Sequence, residues 1–236
     1  DVQTRAWPVI ASGRHVLACA PTGTGKTLTA FLWALDRFLT GSWQPGAMRV
    51  LYVSPLKALN NDIQRNLLEP LSALRNRFAA EGLTPPSIRV LTRSGDTPQD
   101  ERQRMVRRPP EILITTPESL HLILSSPRAR AMLTTVETCI LDEVHAVAES
   151  KRGSLLMACV ERLTLLAGEV QRIALSATVR PADVIAAFVG GYRPEGDPKA
   201  PRYVPRPVET VQSDARKRYD LRVRFPFDPL DIPREE

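Results

Sequence analysis

Cysteine is scarce in this sequence, and its placement is as informative as its number. Three cysteines occur in 236 residues, Cys19, Cys139 and Cys159, each in an apolar stretch and none in C-x-x-C spacing. That excludes a disulfide framework and a cysteine zinc site, and fits reduced, buried thiols in a cytosolic protein. The three histidines are scattered, so no metal cluster is indicated. No run reaches the ~18 apolar residues of a membrane span, and no signal peptide is visible. Aromatics make up only 6%, while the formal charge is +6, a balance that suits a polyanionic partner met through its backbone rather than by base stacking. The chain opens at Asp1 without a Met, so we expect a fragment of something longer. With 43% hydrophobic content there is material for one main core.

The most informative stretch is Cys19-Ala20-Pro21-Thr22-Gly23-Thr24-Gly25-Lys26-Thr27. A strand-length apolar run, His15 to Ala20, precedes it. After it, Ala30, Phe31, Ala34, Leu35 and Phe38 recur at helical spacing from Lys26 to Leu39. Strand, glycine-rich turn and helix together aim backbone N–H groups and a helix N-terminus at a phosphate. Gly23 and Gly25 permit conformations that a Cβ forbids. In such a loop Lys26 reaches the β- and γ-phosphates and the Thr27 hydroxyl faces Mg²⁺. One departure from G-x-x-x-x-G-K-[ST] stands out: Ala20 replaces the first Gly.

A second motif answers the first. Cys139-Ile140-Leu141-Asp142-Glu143-Val144-His145 is an apolar strand ending in two carboxylates, at the edge of a sheet where the phosphate loop also lies in such folds. Asp142 suits a Mg²⁺ ion held through water, and Glu143 suits orienting and deprotonating an attacking water.

Further strands are expected at Met48 to Val53, Ser87 to Leu91, Ile112 to Thr116 and Gln171 to Leu175. Between them fall helices beginning near Leu56, at Pro117, at Ser154 and at Pro181, with a short helix ahead of the first strand. Strands alternating with helices imply right-handed crossovers and a mostly parallel sheet with helices on both faces, an α/β fold. The loops after the strands, including Ser54-Pro55-Leu56-Lys57 and Arg93-Ser94-Gly95, should then converge on one edge. At the first of these, a hydroxyl, backbone amides and a cation could meet a phosphate backbone. Residues 100 to 108 carry four arginines, which we read as a solvated face rather than a binding patch. From Arg193 to Pro207 five prolines crowd a short stretch, so we place the main domain at 1–192 and a linker, with a later strand at Leu221 to Phe225, at 193–236.

The ordered set APTGTGKT, SPLKALNND, TTPESL, DEVH and SAT resembles the first RecA-like motor domain of superfamily 2 helicases. The longer matches YVSPLKALNND, SGDT, ITTPESL and KRGSLL resemble the Lhr (large helicase-related) family in particular. That resemblance implies a RecA-like P-loop NTPase domain using ATP and Mg²⁺. It implies that Gln3 reads the adenine, that the loop of Thr22, Gly23, Thr24 and Gly25 with Lys26 and Thr27 holds phosphate and metal, and that Asp142 and Glu143 are the metal-linked acid and the base. His145 with Ser176 and Thr178 would couple hydrolysis to movement. Ser54, Pro55, Lys57, Arg93, Gly95, Thr115, Thr116 and Pro117 would line a track gripping the backbone of single-stranded DNA or RNA, with 3′ to 5′ polarity and a role in DNA repair taken wholly from the family.

Such motors draw an arginine finger from a second RecA-like domain, which this sequence does not contain. A finger can be worth roughly 10³ to 10⁵ in rate, so we expect ATP binding, very feeble hydrolysis and no unwinding from this chain alone. A duplex-DNA translocase would use the same chemistry without net unwinding. A small-molecule kinase, or a binding module that has lost catalysis, shares fewer of the motifs.

Overall fold

The computed structural model describes residues 2–21, 23–55 and 67–213. Among these, the helices are α1 (Val2–Ala11), α2 (Lys26–Leu39), α3 (Glu69–Ala80), α4 (Gln99–Arg107), α5 (Pro117–Ser125), α6 (Pro127–Arg130), α7 (Lys151–Ala167) and α8 (Ala182–Gly190). The strands are β1 (His15–Cys19), β2 (Val50–Val53), β3 (Val90–Arg93), β4 (Ile112–Thr115), β5 (Thr138–Leu141), β6 (Gln171–Ser176), β7 (Tyr192–Glu195), β8 (Arg202–Pro205) and β9 (Val208–Gln212). Seven of them form one sheet in the order β3-β4-β2-β5-β6-β1-β9, and every pairing in it is parallel.

The strands of the sheet's centre are apolar on both faces because both faces are covered. In β1, Leu17 and Cys19 join a core with Leu120 and Ile123 of α5, Leu156 and Val160 of α7 and Val189 of α8. Val16 and Ala18, pointing the other way, join Ala6 and Ile10 of α1 and Phe31, Leu35 and Phe38 of α2. The doubly covered α/β architecture expected from the periodicities is therefore the one observed.

The C-terminal part departs from the linker expected at 193–236. The β7 and β8 strands form an antiparallel ribbon, and β9 lies parallel to β1 in register from His15↔Val208 to Cys19↔Gln212. As an edge strand β9 needs few buried side chains, and Val211 is its one fully buried residue. The prolines sit in or beside the outer strands, where a missing N–H is tolerated. Arg206, 4% exposed, fastens this segment to Glu161 on α7 and to Glu169 in the turn between α7 and β6. The strand expected at Leu221 to Phe225 lies outside the described residues.

A buried carboxylate organises the opposite, amino edge. Glu111 is 1% exposed and accepts from Gly46 N at 2.8 Å and Arg89 N at 2.7 Å. Burial alone would raise its pKa, but those two N–H groups and the Arg89 guanidinium outweigh burial and hold it below the ordinary value. A depressed folded pKa adds stability that is present above the unfolded value near pH 4.3 and lost as pH falls through the folded one. Glu111→Gln should cost about 2 kcal/mol at neutral pH. Denaturant unfolding should show that difference shrinking below about pH 4.

Candidate nucleotide and nucleic-acid site

The phosphate loop follows β1 directly. Gly23 and Gly25 both take left-handed backbone, at φ 82° and 80°. At Gly25 a Cβ would also stand 2.5 Å from Gln3 Nε2, but that is the movable end of a side chain, so the left-handed backbone is what calls for glycine there. Ala20, the departure from the usual pattern, is not among the positive-φ residues, so nothing in its backbone calls for glycine. The Lys26 ammonium is buried across the loop, donating to Ala20 O at 2.6 Å and Pro21 O at 3.2 Å. Thr24 Oγ1 closes the turn by donating to Pro21 O at 2.7 Å. Thr27 is half-buried one residue into α2. Thr22 lies outside the described residues.

Gln3 reaches this loop from a different helix. Its Nε2 donates to Gly25 O at 3.5 Å. What holds α1 there is Trp7, one turn on, whose Nε1 donates to Thr29 O at 3.0 Å. The four-residue spacing of Gln3 and Trp7 was legible in the sequence; the tether was not.

The acidic motif follows β5, with β6 standing between β5 and β1 in the sheet. Asp142 is 8% exposed, its two oxygens taken by the Tyr52 hydroxyl and by Glu143 N, the latter at 2.8 Å. Burial pushes its pKa up, while the Tyr52 and Glu143 N–H hydrogen bonds and the Lys26 charge oppose that push. Glu143 has φ 47° and ψ 41°, the one non-glycine among the described residues in left-handed backbone. Strain of that kind persists where the surroundings over-determine it.

His145 ties this acid loop to β6. Its Nδ1 accepts from Ala177 N at 3.2 Å and lies 3.3 Å from both Ser176 Oγ and Glu143 Oε2. A backbone N–H can only donate, so Nδ1 accepts from Ala177, and Glu143 Oε2 is then a close neighbour of that nitrogen and not its hydrogen-bond partner. Ser176 is thus brought to the acid loop, whereas Thr178 is exposed and makes no hydrogen bond among the described residues.

On the other half of the edge, after β2, β3 and β4, lie the residues expected to form a track. Ser54, Pro55, Arg93, Thr115, Thr116 and Pro117 are all buried, and Gly95 alone of this set is exposed. Thr115 Oγ1 donates to Arg93 O at 2.8 Å, and Thr116 caps α5 by accepting from Ser119 N at 3.3 Å. Both hydroxyls thus serve the fold, and they build the floor of this edge. Arg93 ends β3 instead of sitting in the following loop. Lys57 lies outside the described residues.

Comparison with known proteins gives this arrangement a family. The DEAD/DEAH box helicase model matches residues 1–186. The chain belongs to the DEAD/DEAH box helicase family. Within it the chain is similar to the Lhr helicase/probable uracil glycosylase of Mycolicibacterium smegmatis, 49% identical over 230 residues, covering 97% of this chain and 14% of that protein. It is also similar to the Lhr helicase/uracil glycosylase of Escherichia coli, 47% identical over 98% of this chain and 15% of that one. The chain therefore spans about one seventh of the length of these relatives. The solved structure of Mycobacterium smegmatis helicase Lhr bound to ssDNA and AMP-PNP superposes with a TM-score of 0.81 at 48% identity, over 93% of this chain and 26% of that one. DEAD-box helicase Mss116, bound to ssRNA and UDP-BeF, shares the fold at 20% identity and a TM-score of 0.64. These helicase domains are RecA-like, and so is this one.

Tyr52 is the residue that sequence reading missed: a single polar-tipped side chain in the apolar β2, registered opposite Ile140 and donating to Asp142 two residues beyond it. Its ring stacks on Phe31 with centroids 5.1 Å apart. Tyr52→Phe keeps that packing and removes the hydroxyl, leaving a buried carboxylate oxygen short of a donor. Thermal or urea unfolding should report a loss of about 1 to 3 kcal/mol.

Proposed function

We propose that this chain is the first RecA-like motor domain of an Lhr-type, ATP-dependent helicase that moves 3′ to 5′ along a single strand of nucleic acid. The observation that carries the reading is one sheet edge bearing the Lys26 loop after β1 and the Asp142–Glu143 pair after β5, bridged through β6 by His145. The identity to Lhr helicases over nearly the whole chain supports the same assignment.

In this reading Gln3 meets the adenine, and Gly23, Thr24 and Gly25, with Thr22, present the loop's backbone to the phosphates. Lys26 neutralises charge on the β- and γ-phosphates. The donor set suits Mg²⁺: Thr27 offers a hydroxyl without a hydrogen bond among the described residues, and Asp142 a carboxylate whose oxygens each keep a free lone pair. When bound, the ion would offset the negative charge that builds on the phosphates. Glu143 orients the attacking water and takes its proton. His145, sharing Nδ1 contacts with Glu143 and with Ser176–Ala177, carries the state of the acid loop to β6, with Thr178 following on.

Ser54, Pro55, Lys57, Arg93, Gly95, Thr115, Thr116 and Pro117 form the track for the strand's backbone, which leaves DNA, RNA and hybrid substrates all open to it. The main domain, expected at 1–192, takes in β9 as well, and a second RecA-like domain of the same polypeptide supplies the arginine finger. Residues 1–236 alone then bind ATP, hydrolyse it feebly and unwind nothing. A cytoplasmic setting agrees with three buried, free thiols. A duplex translocase with the same motor is separated by strand displacement.

Hydrolysis by the full-length protein should be stimulated by single-stranded DNA or RNA and abolished by Lys26→Ala. Glu143→Gln should lower it by at least ~10²-fold while nucleotide binding persists, as expected for loss of a general base. An unchanged rate in Glu143→Gln would remove Glu143 from the chemistry. No response to either polymer would overturn the helicase reading.

A further inference from the structure

Four arginines meet where β3, α4 and the α5–α6 junction come together. Arg93, Arg102, Arg107 and Arg128, with Gln99 and Gln103, line a groove of about 420 Å³, and no carboxylate is among the described residues that line it. The α4 residues of this set, at 99, 102, 103 and 107, recur at helical spacing and form one face. The arginine run read from sequence as a solvated surface is therefore divided. Arg104 pairs with Asp100 at 3.1 Å and Arg108 is exposed, while Arg102 and Arg107 turn to the groove.

The arginines of the groove differ in what they already hold. Arg102 is committed to the fold: Nε donates to Thr97 O and Nη2 to Gly95 O, both at 2.7 Å, fixing the loop after β3. The guanidinium groups of Arg93, Arg107 and Arg128 make no ion pair or hydrogen bond among the described residues. For Arg107 and Arg128, both exposed, water suffices. For Arg93 it does not, because the residue is only 8% exposed. Burial, and then the Arg102 charge, push its pKa below the ordinary arginine value. A buried cation beside a like charge is costly unless an anion completes the site.

The anion must offer several acceptor oxygens to fork-shaped donors, which a phosphodiester does. Position selects the phosphate of a polymer. Arg93 ends β3 at the carboxyl edge, where its own carbonyl is bonded by Thr115, so the groove it lines adjoins the proposed track. We propose that this groove holds backbone phosphates of the nucleic-acid strand beyond the carboxyl edge, with Arg93 at its inner end and Arg107 and Arg128 at its mouth. This rests on the function proposed above and extends the path of the strand from the edge of the sheet onto the face carrying α4 and α5.

The test is a salt titration of single-stranded DNA binding by the full-length protein and by Arg107→Ala/Arg128→Ala. Losing two phosphate contacts should weaken binding about ten- to hundredfold at moderate salt. It should also flatten the slope of log affinity against log salt by about 1.4, at ~0.7 for each phosphate on a single strand. Arg107→Lys/Arg128→Lys should recover most of the slope, since charge is kept and the fork is lost. Unchanged nucleotide affinity in both variants marks an intact fold. If the unaltered protein does not bind single strands, the proposed function fails and this inference with it. If it binds, and the double alanine variant keeps both affinity and slope, the groove assignment alone is overturned. Weaker binding with an unchanged slope also overturns it, and points to a protein segment as the occupant.

Discussion

Direction is the constraint on which this molecule depends. Seven strands run the same way, so every segment that follows a strand of the sheet begins at the same edge. Residues far apart in sequence, such as Lys26 and Asp142, become neighbours without any long loop to carry them. The helices that return the chain cover both faces, and their apolar stripes supply the two cores.

Strand order then divides the edge. The adjacent strands β5, β6 and β1 carry the acid pair, the Ser176–Ala177 segment and the phosphate loop; β3, β4 and β2 carry the buried polar floor. Contact between the parts runs through few atoms. His145 Nδ1 lies against both the acid loop after β5 and the Ser176–Ala177 segment after β6, and Tyr52, near the end of β2, reaches across to Asp142. A change in how Asp142 is held therefore bears directly on the strand that precedes Ser54 and Pro55. The two halves are joined by a hydrogen bond as well as by a shared sheet.

Much of this was legible in the sequence because it is local. The helix expected from Lys26 to Leu39 is found at those residues, since its buried face, its preceding glycines and its apolar neighbours all agree. Thr116 and Pro117 start α5 as a capping residue followed by proline should. What escaped was set by distant partners. The third strand begins at Val90 and not Ser87 because Arg89 N gives its hydrogen to the Glu111 carboxylate. The last strand was hidden because an edge needs little apolar pattern, and its place was decided by β1, nearly two hundred residues earlier. The inward orientation of Thr115 and Thr116 likewise belongs to packing and has no signature in composition.

The position of β9 has a mechanical meaning. It lies flat along β1 for five registered pairs, and beyond it Ser213 N still bonds Cys19 O at 2.8 Å, immediately before the phosphate loop. Tension drawn between the chain entering β1 and the chain leaving β9 acts along the strands. The ladder is thus loaded in shear, with its hydrogen bonds sharing the force instead of parting one at a time. Whatever is tethered beyond β9 pulls on a stiff seam whose far side is the strand that carries the nucleotide loop.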